Sequence, residues 1–205
     1  MRRPAIFLDR DGVINRNRPD HVKAWDEFEF LPGVLEALRR LAGIGLPVLV
    51  VSNQGAIGRG LTTRAAVDEI HRCMAAEVRA AGGRIDDVLY CPHRPEDCCA
   101  CRKPSPGQLL QAVERWDLDL AASVLVGDAE ADILAAQSAG CRPLLVLTGR
   151  GAEQLAVLRA SSRDGFIVAD DLLAAVDWIK VVSGNAPGIP SYGRTSTFAT
   201  IRPSP

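Results

Sequence analysis

The chain predicts an α/β fold, a doubly wound and mostly parallel sheet with helices on both faces. Two patterns carry that prediction. Short apolar, β-rich runs alternate with longer stretches whose apolar residues recur at helical spacing, the sequence form of successive strand–helix units. Several of the short runs end abruptly in polar residues: Leu8 in Asp9-Arg10-Asp11-Gly12, Val51 in Ser52-Asn53-Gln54, and Val126 in Gly127-Asp128. Such endings put chemistry at the carboxyl edge of a parallel sheet, where open α/β sheets bind ligands. With 205 residues, 47% of them hydrophobic, one sizeable core is the natural outcome.

In order, the first strand is expected at 5–9, on Ala5-Ile6-Phe7-Leu8. A helix then begins near Pro32-Gly33, where Val34, Leu35, Leu38 and Leu41 form one apolar stripe, and stops at Gly43 and Gly45. The second strand spans 48–52. A second helix starts at Thr62-Thr63, whose hydroxyls suit its free amides, and runs through Val67, Ile70, Met74 and Val78 to Gly82-Gly83. Strands at 87–90, 123–127, 143–147 and 166–168 alternate with helices at 107–116, 130–139, 152–160 and 172–182. From Ser183 onward Gly, Pro, Ser and Thr dominate without apolar periodicity, so residues 1–182 are expected to form one domain and 183–205 a flexible tail. Only residues 13–30 and 91–102 are long enough to reach across the carboxyl edge, which predicts an open pocket without a large cap domain.

A net charge of −1 gives no electrostatic case for nucleic acid or a membrane surface. No apolar stretch approaches the ~20 residues of a membrane span, and Met1-Arg2-Arg3-Pro4 leads directly into a strand pattern rather than a signal-peptide core, so a cytoplasmic protein is expected. The sheet edge offers no pairing signal, and a monomer is expected.

Asp9 and Asp11 lie two residues apart at a strand end, so they point the same way, and Gly12 lets the chain turn beneath them. With Ser52, Lys103 and Asp128 they supply a carboxylate dyad, a hydroxyl donor, a cation and a further carboxylate, the groups that phosphoryl transfer through a carboxylate requires. A phosphate dianion is repelled by these acids, so a hard divalent cation with oxygen ligands, Mg2+, is expected. Asp132, one turn further on, is open to two readings, support of that cluster or capping of its helix.

Four of the six cysteines fall within Cys91 to Cys101, interleaved with His93. Cys91, His93, Cys99 and Cys101 offer one nitrogen and three sulfurs, a closed tetrahedral set for structural Zn2+ in a zinc-stabilised loop, with Cys98 as an alternative to Cys99. That loop leads directly into Arg102 and Lys103. Cys73 and Cys141 are read as inert core thiols, and His71, amid Asp68, Glu69 and Arg72, as exposed.

These pieces, in this order from about Ala5 to Thr148, resemble the haloacid dehalogenase superfamily of aspartate-nucleophile phosphatases, which have a Rossmann-like fold. Asp9-Arg10-Asp11-Gly12-Val13-Ile14-Asn15, Asn53-Gln54 with Arg59-Gly60, and Cys91-Pro92-His93 through Cys101-Arg102-Lys103-Pro104 are similar to the subfamily of histidinol-phosphate and heptose bisphosphate phosphatases. Glu27-Phe28-Glu29-Phe30-Leu31-Pro32-Gly33 favours the heptose branch. The resemblance implies that Asp9 attacks phosphorus, that Asp11 is the acid and base, and that Asp9, the Asp11 carbonyl and Asp128 hold Mg2+. It implies a small-molecule phosphate ester as substrate, D-glycero-D-manno-heptose 1,7-bisphosphate ahead of histidinol phosphate. Candidate substrate contacts are Asn15, Arg18, His21, Asn53, Gln54, Arg59 and Arg102. The chain departs from the pattern at Ser52, where many relatives carry threonine, and at Ala129, where heptose-type relatives often place lysine.

Overall fold

The computed structural model describes residues 2–184 and 200–201. Among these, seven strands form one sheet: β1 (Ile6–Leu8), β2 (Val48–Asn53), β3 (Asp87–Cys91), β4 (Val124–Gly127), β5 (Arg142–Val146), β6 (Ile167–Ala169) and β7 (Thr200–Ile201). Their spatial order is β3-β2-β1-β4-β5-β6-β7. All six neighbouring pairs are parallel. The chain builds outward from β1 to β3, then returns to the other side of β1 to lay down β4. That reversal opens a crevice at the carboxyl ends of β1 and β4, the topological switch point.

Among the described residues seven α-helices connect the strands: α1 (Val34–Ala42), α2 (Gly55–Gly58), α3 (Arg64–Ala80), α4 (Gly107–Trp116), α5 (Glu130–Ala139), α6 (Gly151–Ala160) and α7 (Leu172–Gly184). Strand alternation sorts the core into two layers. Ile6, Leu8, Val48, Val50, Val124 and Val126 pack with Val34 and Leu38 of α1, Met74 of α3 and Ile179 of α7. Phe7, Leu49, Val51 and Leu125 face the other way, against Leu109 and Ala112 of α4 and Ala135 and Ala136 of α5. Phe7 lies in register with both Leu49 and Leu125, so Asp9 follows at the edge with β2 and β4 on either side.

The expected elements are present, with shifts of a residue or two at their ends. Thr63 caps α3 by accepting a hydrogen bond from the Ala66 amide at 3.1 Å. The single turn α2 was not expected, since Gly55 and Gly58 give no helical signal. The segment reaching over the edge after β1 is braced by stacked Trp25 and Phe28, with Phe30 edge-on to both. At the other end, α7 continues to Gly184 and Thr200–Ile201 pair with β6. The remainder of the expected tail lies outside the described residues. No helix among the described residues is long and apolar enough to cross a membrane.

Candidate active site

Four carboxylates, Asp9, Asp11, Asp128 and Asp132, meet at the carboxyl edge of β1 and β4. With Ser52, Asn53, Lys103, Ala129, Ala131 and Arg150, three of them line a cleft of about 320 Å³ including its open mouth. Lys103 reaches in from the loop before α4 and is buried. Its Nζ lies 2.9 Å from Asp9 Oδ1 and 2.6 Å from Asp132 Oδ1, and donates to the Val51 carbonyl at 2.7 Å. Burial opposes the ammonium charge, but Asp132 and Asp9 outweigh it and hold Lys103 protonated. Asp132 serves both of the readings left open above: one oxygen pairs with Lys103, and the other accepts from the Ala129 amide at 3.1 Å and caps α5.

Burial pushes Asp9 up to about 6, with Asp132 and Asp11 adding to the rise and Lys103 opposing it. Both hydrogen-bonding partners of Asp9, Lys103 and the Arg10 amide at 2.7 Å, fall on Oδ1. Asp11 behaves oppositely. Burial would raise it, but Arg10 outweighs burial and, with Asn15 and Gln54, holds it below the ordinary carboxylate range. Arg10 Nη2 contacts both Asp11 oxygens at 2.9–3.0 Å, while Asn15 and Gln54 each donate one amide hydrogen bond to the same carboxylate. The Gln54 amide also donates to Ser52 Oγ at 2.8 Å.

Arg10 is itself buried, and its Nη1 donates to His71 Nε2 at 3.2 Å. The expectation of an exposed His71 is therefore corrected: it faces inward from α3, packed beside the Tyr90 ring. Burial, with the Arg10 charge, lowers it to about 3, so it is neutral and accepts from Arg10. Its position carried a signal, since 71 lies four residues after Val67 and three before Met74, on the stripe that buries α3. Cys73 is also corrected: it is only partly buried, beside Glu69 and Arg72, whereas Cys141 is buried as expected.

Asp128 is fully buried, and burial, with the Asp9 charge adding to it, raises its carboxyl. Asn17 Nδ2 and the Arg150 amide donate to its Oδ2 at 2.7 and 2.9 Å, which fixes the carboxylate. Oδ1 is buried and accepts no hydrogen bond. Gly12 and Gly149, both with positive φ, press so closely on Asp128 and Asn17 that a Cβ at either position would collide with them. Oxygens of Asp9, Asp128 and Asp132 lie within 4.8 Å of one another. An oxygen-only set with one buried, unbonded oxygen suits a hard divalent cation. Arg150 was missed by sequence reasoning, and Asn17 is read there only as one of a first-loop group that could grip phosphate or hydroxyls, because the contacts of both with Asp128 depend on two loops meeting at the sheet edge.

Cys91, His93, Cys99 and Cys101 also converge. Their Sγ and Nδ1 atoms stand 3.3–3.6 Å apart on five edges, close to the ~3.5–3.8 Å edges of a tetrahedron with bonds near 2.0–2.3 Å. Cys98 is excluded from this group: it is exposed, with φ of 46°. Arg102 donates to the His93 carbonyl at 3.0 Å and ties the cluster to the lysine loop. Asn53 bonds both the amide and the carbonyl of Lys103.

The expected substrate contacts thus divide. Buried Asn15 and Gln54 brace Asp11, Asn53 braces Lys103, and Arg102 braces the cysteine loop. At the outer rim His21, with φ of 66°, stands 3.5 Å from Arg59, and Arg18 pairs with Asp20 and Glu27.

An aspartate pair, a buried lysine and a metal-ready aspartate at the switch point of this sheet define a phosphatase of the HAD-like type. The HAD-hydrolase-like family model matches residues 100–175. The D-glycero-beta-D-manno-heptose-1,7-bisphosphate 7-phosphatase of Bordetella bronchiseptica is 42% identical over 172 residues, covering 84% of this chain and 95% of the relative. The enzyme of that name from Escherichia coli K12 is 41% identical, covering 72% and 81%. Among solved structures, the B. bronchiseptica D,D-heptose 1,7-bisphosphate phosphatase complexed with magnesium and phosphate superposes with a TM-score of 0.81 at 41% identity, over 86% of this chain and 97% of that one. The Burkholderia thailandensis D,D-heptose 1,7-bisphosphate phosphatase gives 0.66 at 37% identity, over 86% and 99%. The chain belongs to the haloacid dehalogenase superfamily, in its family of heptose bisphosphate and histidinol-phosphate phosphatases, on the heptose branch.

Proposed function

We propose that this enzyme removes the 7-phosphate of D-glycero-D-manno-heptose 1,7-bisphosphate through an aspartyl-phosphate on Asp9. The observation that carries the reading is the pairing of Asp9 with buried Lys103 at the sheet edge, in a chain 42% identical to a phosphatase named for that substrate. Asp9 Oδ1 is tied by Lys103 and the Arg10 amide, which leaves Oδ2 to attack phosphorus. The P–O bond to the sugar breaks, and Asp11 gives its proton to the departing oxygen. Arg10 keeps Asp11 charged in the substrate-free site. An incoming phosphate dianion raises the proton affinity of Asp11, which takes up a proton from solvent and so becomes the acid. Asp11 then takes a proton from the water that attacks the phosphoryl group, releasing phosphate and restoring Asp9.

Asp9, the Asp11 carbonyl and Asp128 would hold Mg2+, which supplies positive charge against the phosphoryl oxygens when bound. Cys91, His93, Cys99 and Cys101 would hold structural Zn2+ and fix the loop that presents Lys103. The enzyme acts on a small soluble ester, as a cytoplasmic monomer. Phosphorus NMR of the products tests the reading: loss of the 7-phosphate signal with the 1-phosphate retained is expected, together with inactivity of Asp9→Asn. Release of the 1-phosphate, or turnover by Asp9→Asn, would refute it.

A further inference from the structure

Two cationic side chains line the cleft among the described residues, Lys103 and Arg150. The three donors of Lys103 already face Asp9, Asp132 and the Val51 carbonyl, all within 2.9 Å. Arg10, behind the cleft, is engaged with Asp11 and His71. Arg150 differs from both. Its amide is anchored on Asp128 Oδ2 at 2.9 Å, yet its guanidinium stands 3.6 Å from Asp128 Oδ1, and its side chain is 57% exposed. The head group is thus loosely held beside a buried oxygen that accepts no hydrogen bond.

Charge balance gives this arrangement a consequence. Asp11 is matched by Arg10, and Asp9 with Asp132 by Lys103. Among the described residues Asp128 is matched by Arg150 alone. A divalent cation at Asp128 replaces that match and repels the guanidinium, which lies on the wall of the same cleft. The position directly after Asp128, Ala129, supplies no charge of its own. A planar guanidinium fork released there fits two phosphoryl oxygens.

We propose that Arg150 is a switching counter-ion, which neutralises Asp128 while no divalent cation is bound and turns to grip the substrate's phosphoryl oxygens once one is. The second half rests on the phosphatase reading above. Arg150 is exposed and its structural contact is through the backbone, so Arg150→Gln and Arg150→Lys keep the fold, which circular dichroism checks.

The first test is Mn2+ binding to the metal-free proteins by electron paramagnetic resonance. Arg150→Gln is expected to bind Mn2+ roughly three- to tenfold more tightly than wild type, with Arg150→Lys unchanged or between. The second is inorganic phosphate binding in saturating Mg2+ by calorimetry, which Arg150→Gln should weaken about tenfold. With heptose bisphosphate, KM should rise about tenfold while kcat moves less than about threefold. Unchanged Mn2+ affinity or unchanged phosphate affinity in Arg150→Gln would overturn the proposal. Failure of wild type to turn over the bisphosphate would count against the substrate reading instead, because the Mn2+ and phosphate experiments need no sugar.

Discussion

Replacing Lys103 with methionine removes one charge and little volume from the centre of the site. The ammonium is buried and lies 2.9 and 2.6 Å from Asp9 and Asp132. Without it, Asp9 and Asp132 lose the cation they share, with an Asp128 oxygen within 4.8 Å of theirs. Removing one partner of a buried pair costs about 3–5 kcal/mol. For a protein of this size each kcal/mol lowers Tm by roughly 2–4 °C, so a drop of about 6–20 °C is expected in metal-free buffer. The loss depends on pH in a definite sense. Carboxylates whose folded pKa lies above the unfolded value bind more protons folded than unfolded, so stability falls as pH rises through that interval. Asp9 is already raised to about 6, and losing Lys103 moves it higher. Thermal unfolding at pH 5 and pH 8 therefore separates the cases: the deficit of Lys103→Met should be several degrees larger at pH 8. A drop below about 1 °C, or a larger deficit at pH 5, would refute the reasoning.

Other predictions address the nucleophile, the turn and the zinc loop. In metal-free protein Asp9 should cost stability as pH climbs from about 4 to 6, so Asp9→Asn should gain about 3 kcal/mol on wild type between pH 4 and pH 8, read by denaturant titration. A difference that does not change with pH would count against a raised Asp9. Gly12→Ala places a methyl against Asp128 at a φ of +92° and should lower kcat/KM at least about 100-fold and weaken Mn2+ binding; wild-type values for both would show that the close approach is immaterial. Cys101→Ser should lose bound zinc by elemental analysis and lower Tm before it alters kcat, and full zinc stoichiometry would remove Cys101 from the ligand set.

The strands were legible because apolar runs ending in Asp9, Ser52 and Asp128 have few alternatives in an α/β chain. Cys91, His93, Cys99 and Cys101 were legible as a group, but the choice between Cys98 and Cys99 needed a backbone that turns Cys98 outward at φ 46°. His71 was misjudged by weighing its charged neighbours above the Val67–Met74 stripe on which it sits. Cys73, one residue before Met74, failed for the opposite reason, since the edge of an apolar stripe is only half covered. Asn15 and Gln54 are polar types that serve equally as ligands of a substrate or braces of a carboxylate, and only their burial and hydrogen bonds tie them to Asp11, while Asn53 holds the Lys103 backbone from the cleft wall. Asn17 and Arg150 meet at Asp128 from positions 111 and 22 residues away, a juxtaposition that no local pattern encodes.

The most direct test of the account is kcat/KM for phosphate release in Mg2+ from heptose 1,7-bisphosphate and from histidinol phosphate, measured side by side on the same preparation. A strong preference for the bisphosphate that vanishes in Asp9→Asn is expected. A preference for histidinol phosphate would contradict it.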